Sequence, residues 1–314
     1  MMAHTNTRPG TVHAALVAVQ VFFGIQYLAA KVLLQEIPPP VWALIRVVAA
    51  AVLLLLLVGF SGRRLPREPS VLWRLALFSV FGVSMNQFLF VNGLDRTTPG
   101  HAAIIMTGIP VATLAFGILL GRERWRAVKG VAVTISLAGV LLVIGPGAVE
   151  QPGASWLGDL LVFTNGSFYA FFLVISKSTL DRLDSLSATT LLFVFGSVVL
   201  IVLAGPSLAG FDIGAVSART WWLGLYIVLF PTVGAYLLTV WALARVESSL
   251  VALFIYLQPL IATALSVALL GERPGALTIA GAALVFLGVF VAVRGGRRGG
   301  SSVSSGRPRP PSVG

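Results

Sequence analysis

The sequence predicts an all-α integral membrane protein, with ten transmembrane helices forming two inverted five-helix repeats. Three observations carry the prediction. The composition is too apolar for a soluble domain: of 314 residues, 57% are hydrophobic and 11% charged, at a mean hydropathy of +0.94, where soluble domains carry about 25% charged residues. Ten apolar runs are each long enough to cross a bilayer, which takes about 20 residues. One stretch also occurs twice, as PVATLAFGILLGRER at 110–124 and PLIATALSVALLGER at 259–273. A constant offset of 149 links Pro110 to Pro259, Glu123 to Glu272, Gly139 to Gly288, Leu94 to Leu243, Arg96 to Arg245 and Gly117 to Ser266. Such a gap-free series indicates internal duplication.

In chain order the runs cover 12–35, 40–60, 71–93, 98–120 and 127–146, then 157–177, 186–208, 217–240, 249–270 and 276–293. They are too long and too uniformly apolar for barrel strands, and a helix satisfies its own backbone in lipid. The first run exceeds the apolar core of a signal peptide, about 7 to 15 residues, and Ile37-Pro38-Pro39-Pro40 is no small-residue cleavage site. Basic residues test the segmentation, because they favour the cytoplasmic side. With the N-terminus inside, Arg8 precedes the first run and Arg63, Arg64, Arg67 and Arg74 follow the second. Arg122, Arg124, Arg126 and Lys129 follow the fourth, Lys177 and Arg182 the sixth, Arg245 the eighth, and Arg294, Arg297, Arg298, Arg307 and Arg309 the tenth. Those are 17 of the 22 basic residues; Arg96, Arg219 and Arg273 fall outside, and Lys31 and Arg46 within spans. Both termini are therefore expected in the cytoplasm. The net charge of +11 follows this topology rather than a nucleic-acid surface.

Five spans per half is odd, so the second repeat enters the membrane upside down. Inverted repeats of this kind are characteristic of secondary transporters, whose midplane site is opened to either side by rocking one arrangement into its mirror. The tail after Val293 has no apolar periodicity and reads as disordered.

The run at 22–56, Pro110 to Glu123 with Gly139-Val140, Gly158-Asp159 opening the sixth span, and Pro259 to Glu272 with Gly288-Val289 resemble the EamA domains of the drug/metabolite transporter superfamily. The resemblance implies a cytoplasmic segment at 1–11, repeats at 12–146 and 157–293, a linker at 147–156 and a basic tail at 294–314. It further implies a central cavity walled by the first four helices of each half, export of small organic solutes such as amino acids, and residence in the bacterial inner membrane. One departure is that Phe23-Gly24 is followed by Ile25-Gln26-Tyr27, where Asn or Ser is usual before the Lys.

Gln20, Gly24, Tyr27 and Lys31 fall at helical spacing on one face of the first span, and Asn165, Tyr169, Phe172 and Ser176 repeat the spacing on the sixth. Polar stripes in apolar helices avoid lipid, so both are candidates for a cavity wall or for bonds between helices. Asn86, Gln87 and Asn92, then Thr232 and Tyr236, then Tyr256 and Gln258 extend the set. Lys31 and Arg46 are costly in a bilayer and count as functional candidates: either could bind a substrate carboxylate or snorkel outward, Lys31 could instead pair with Glu36, and Arg46 could cap carbonyls at a helix end. Pro110 and Pro259 should bend or break their helices, as a hinge would. Glu123 and Glu272 are candidates for coupling or for ordinary interfacial pairing. Gly117 and Gly121 form a GxxxG packing motif. Trp42 and Trp241, near span ends, read as interface anchors.

Other classes find little support. Gly59-Phe60-Ser61-Gly62 matches a nucleophile motif, but Ser61 stands at a membrane edge beside Arg63 and Arg64. No phosphate-binding loop, HExxH motif or cysteine is present. No catalytic residue, metal or cofactor is expected. The expected partners are a small-molecule substrate and the lipid bilayer, not nucleic acid, with a homodimer open. A receptor or scaffold that transports nothing is the competing reading.

Overall fold

A computed structural model describes residues 9–122, 127–144, 155–246, 248–271 and 273–297. The candidate coupling residues Glu123 and Glu272, the residues before Pro9 and the tail beyond Arg297 lie outside them.

The apolar runs fold as helices. In the first half, α1 spans Pro9–Leu33 and α2 Pro39–Phe60. The third run is α3 (Pro69–Ser79), a π-helical turn at Val80–Ser84, and α4 (Met85–Asp95). The fourth is broken into α5 (Pro99–Met106) and α6 (Ile109–Leu119), and the fifth is α7 (Ala127–Ile144). The second half repeats this order: α8 (Trp156–Leu180), α9 (Ser185–Ala204), α10 (Ala218–Ile227), a π-turn at Val228–Gly234, and α11 (Ala235–Leu243). Then come α12 (Ser248–Leu253), a 3-10 turn at Phe254–Tyr256, α13 (Leu257–Leu270) and α14 (Ala276–Arg297). α14 thus continues past Val293, into the predicted tail. Eight described stretches are long and apolar enough to cross a membrane; the fully described parts of α7 and α14 are shorter, at Gly130–Gly139 and Ala276–Gly288. The protein is a multi-pass membrane protein.

The ends follow local chemistry. Ser155, Asp184 and Ser217 accept backbone N–H groups at the starts of α8, α9 and α10, satisfying donors that a first helical turn leaves open. Gly121 is not part of a continuous packing face with Gly117. At φ 67° it lies beyond α6, its N–H reaching the Ile118 carbonyl and the Arg122 N–H the Gly117 carbonyl. That is a Schellman stop, which needs a left-handed residue and so favours glycine.

The packing repeats between the halves. α7 lies chiefly against α14 and α2 against α9, each helix meeting its own counterpart, while α1 packs on α13 as α8 packs on α6. Gly139 and Gly288 permit the first of these contacts. A Cβ on Gly139 would lie 2.7 Å from the Gly281 carbonyl, and one on Gly288 would lie 2.7 Å from that of Ala132. Both π-turns fall at the same place in their half, and both broken helices are interrupted just before the duplicated proline.

Candidate functional site

Between the halves lies a cavity walled by helices of both. α1 contributes Gln20, Phe23, Gln26 and Tyr27; α4 contributes Asn86, Gln87 and Phe90; α8 contributes Asn165 and Tyr169; α11 contributes Tyr236 and Thr239. Met106 and Ile109 flank the break in the fourth run, and Val251, Ile255 and Gln258 the corresponding break in the ninth. Every polar side chain in this lining is an uncharged amide, phenol or hydroxyl.

Hydrogen bonds fix how these groups face. Tyr236 Oη donates to the Gly82 carbonyl at 2.7 Å and accepts from Gln87 Nε2 at 3.1 Å. Gly82 lies in the π-turn of α3–α4, where the widened ladder frees backbone groups. Gln87 and Tyr236 are themselves related by the repeat offset, so the two halves interlock through equivalent positions. Gln87 must turn its N–H end to the phenol, which leaves Oε1 without a partner among the described residues. Asn165 Nδ2 donates to the Asn86 carbonyl at 2.6 Å, and Asn165 Oδ1 is likewise unpartnered. On the opposite wall Tyr27 Oη donates to Gln258 Oε1 at 2.9 Å, and Gln258 Nε2 donates to Gln20 Oε1 at 2.6 Å.

Thus Gln20, Tyr27, Asn86, Asn165, Tyr169 and Tyr236 come together around the cavity, and Gly24, Lys31, Arg46 and Tyr256 do not. Gly24 is a packing position, where a Cβ would lie 2.6 Å from the Ile261 side chain. The Lys31 ammonium donates to the carbonyls of Leu94, Asp95 and Thr97 at 2.8–2.9 Å, capping the end of α4. Glu36 is engaged elsewhere, by the Ser217 N–H and hydroxyl. Arg46 is fully buried one layer behind the wall. Its Nε donates to Thr232 Oγ1 at 2.6 Å and its Nη2 to Gln26 Oε1 at 3.0 Å; Thr232 in turn donates to the Ile227 carbonyl at 2.6 Å, across the second π-turn. Tyr256 packs against Phe286.

Other expected roles shift too. Trp42 is buried against Gly224 and is no interface anchor, because its ring is used to pack α2 on α10. Among the described residues the exposed tryptophans are Trp73, Trp156 and Trp222, the first and last at equivalent positions of the two repeats. Ser61 Oγ donates back to Leu57 at 2.7 Å, as a hydroxyl at a helix end commonly does. The polar lining residues not proposed from sequence are Gln26 and Thr239, and the apolar ones, such as Phe90, Met106 and Ile255, were not proposed either. Gln26 stands at the departure after Phe23-Gly24, which was the one visible signal for any of them.

A profile of the EamA-like transporter family matches residues 11–145 and again 156–294. An Archaeoglobus fulgidus protein described as an uncharacterized transporter is 27% identical over 89% of this chain and 96% of its own length. A Streptantibioticus cattleyicolor protein described as a probable terminal-alkyne amino-acid exporter is 28% identical over 79% of this chain and 82% of its own. One solved crystal structure superposes with a TM-score of 0.65 at 18% identity, covering 93% of this chain and 99% of that one; at that identity the likeness speaks for the fold alone.

Proposed function

This chain belongs to the EamA-like transporter family, and we propose that it is a secondary transporter exporting small zwitterionic metabolites, such as amino acids, across the bacterial inner membrane. Ten spans form two inverted repeats with both termini in the cytoplasm, and rocking about the central cavity exposes it to each side in turn. The broken helices before Pro110 and Pro259 serve as the hinges. The observation that carries this reading is the cavity itself: amides and phenols from both halves meet in the middle of apolar spans, with the Gln87 and Asn165 acceptor oxygens left without a partner among the described residues.

Gln87 Oε1 and Asn165 Oδ1 suit an ammonium or other N–H donor, with Tyr27, Phe90 and Tyr169 offering aromatic faces to a cation. Gln26 gives its oxygen to Arg46 and so keeps its N–H end for a carboxylate, with the guanidinium acting through the amide. Support for amino acids also comes from the relative described as an amino-acid exporter.

Counterflow in proteoliposomes tests the reading, with labelled amino acids, organic acids, nucleosides and cationic drugs. Saturable exchange of amino acids is expected, with Arg46→Ala losing carboxylate-bearing solutes selectively. Folded, inserted protein that exchanges nothing across the panel would favour a receptor or scaffold instead.

A further inference from the structure

We propose that the Arg46 guanidinium binds a small monovalent anion, a halide or a carboxylate group, in the seam between the halves. Arg46 is fully buried, and two of its nitrogens are engaged. Nε donates to Thr232 Oγ1 at 2.6 Å and Nη2 to Gln26 Oε1 at 3.0 Å. Nη1 is buried and has no partner among the described residues. Guanidinium N–H groups can only donate, so whatever Nη1 meets must accept.

Both engaged partners are neutral. Pro231 lies inside the second π-turn and has no N–H to give the Ile227 carbonyl; the Thr232 hydroxyl donates there instead, at 2.6 Å. Thr232 thus offers Arg46 a lone pair and no charge, and Gln26 offers an amide oxygen. A guanidinium keeps its charge in proteins, and burying a charge is costly unless it is paired. Water would meet the N–H groups and leave the charge uncompensated. An anion meets both needs, through hydrogen bonds stronger than neutral ones.

Arg46 forms no ion pair among the described residues. α2 packs on α9, α4 and the short turns at 205–208 and 228–234, with α1 reaching Arg46 through Gln26. The one acid in those elements is Asp95, the last residue of α4, 3.8 Å from Arg96. Glu36, before α2, holds the Ser217 N–H and hydroxyl. Asp159, the buried carboxylate among the described residues, accepts from the Thr97 hydroxyl and lies 3.3 Å from His101 Nδ1; His101 Nε2 lies 3.1 Å from Thr278 Oγ1. The way in from the cavity is one side chain deep, because Gln26 both lines the cavity and touches Arg46. The anion takes Nη1 and Gln26 keeps Nη2, so the amide's hold on the guanidinium is unchanged.

Thermal unfolding of the purified protein tests this with no transported solute and no vesicle, so a silent counterflow assay leaves the result standing. Ionic strength is held with sodium gluconate, whose anion is too large for a buried site, while sodium chloride or sodium formate replaces it stepwise. The midpoint should rise by a few degrees and then level off, as binding to the folded state requires. Saturation by chloride identifies an ion of the medium as the occupant, and saturation by formate alone identifies a carboxylate group brought by a solute. Arg46→Gln should flatten the response, and Arg245→Gln, at an exposed guanidinium over the Trp241 ring, should keep it. Gln26→Glu sets a carboxylate beside the guanidinium. It should melt above the unaltered protein in gluconate and be indifferent to added anion, which decides the matter if Arg46→Gln fails to fold. Equal midpoints in all three salts, an undiminished rise in Arg46→Gln, or a full rise in Gln26→Glu would overturn the proposal.

Discussion

Lys31 near the end of α1 and Lys177 near the end of α8 do the same work in the two halves. Lys31 binds the carbonyls of Leu94, Asp95 and Thr97, and Lys177 those of Leu243 and Val246. Leu94 and Leu243, and Thr97 and Val246, are equivalent positions of the two repeats. The π-turns, the broken helices and the glycines of the α7–α14 contact recur in the same way. The His101–Asp159 pair does not. At the positions equivalent to His101 and Thr278 stand Leu250 and Lys129, and the spacing of the two lysines places His13 opposite Asp159. Duplicated features build the frame, and departures from duplication mark where one face differs chemically from the other.

The largest effects should come from breaking the shared frame. Gly288→Leu would drive a side chain into the Ala132 carbonyl and Ser136, and Gly139→Leu into Gly281 and Val285. Overpacking a core commonly costs about 1–3 kcal/mol; against backbone, which cannot rotate away, both should exceed that. Equal drops in the thermal midpoint would confirm that the contact is symmetric, and a loss on one side only would break the comparison.

Next come the clamps. Lys31→Met and Lys177→Met each strand carbonyls that close a helix, and a hydrogen bond to a charged group contributes about 1.5–3 kcal/mol. Denaturation in detergent should show similar losses, with Lys31 the larger by its third carbonyl. A smaller effect is expected from Tyr236→Phe, which leaves the Gly82 carbonyl and Gln87 Nε2 short of a partner at about 1–3 kcal/mol; Gln87→Leu, its counterpart, removes one bond from the same cluster and should cost less.

The smallest concerns a feature of one half alone. The Ser217 N–H and hydroxyl hold the Glu36 carboxyl below its ordinary range, with the Thr220 hydroxyl adding to the shift. A lowered folded value means the contribution is complete at neutral pH and is lost as pH falls through the carboxylate range. Glu36→Gln should therefore melt slightly below the unaltered protein near pH 7 and coincide with it in acid, below about pH 3. A difference that persists unchanged in acid would assign the contact to packing rather than charge.

The frame was largely legible in the sequence because hydropathy and the doubled Pro-to-Glu stretch are local or periodic signals. What a charge in a span meets was not. Lys31 and Arg46 stood out as cations in lipid, but the partners of Lys31 are backbone carbonyls far along the chain, which no residue type announces. Arg46 meets Thr232 and Gln26, and in sequence both look like ordinary polar residues. His101 and Asp159, from different halves of the chain, become a pair only when α5 and α8 pack, and each alone sits near a helix start where a polar residue is unremarkable. Gly121 read as half of a packing motif because spacing does not reveal that the helix stops before it.

One cavity walled by both halves and opened to each side in turn is the central claim. The chain contains no cysteine, so Thr239→Cys places a single thiol in that wall. Labelling it with a membrane-impermeant maleimide, in right-side-out and then in inside-out vesicles, measures access from each face. Modification from both sides, with a ratio that shifts when a transported solute is added, is the expected result. Modification from one side only, at a ratio that no solute changes, would contradict alternating access.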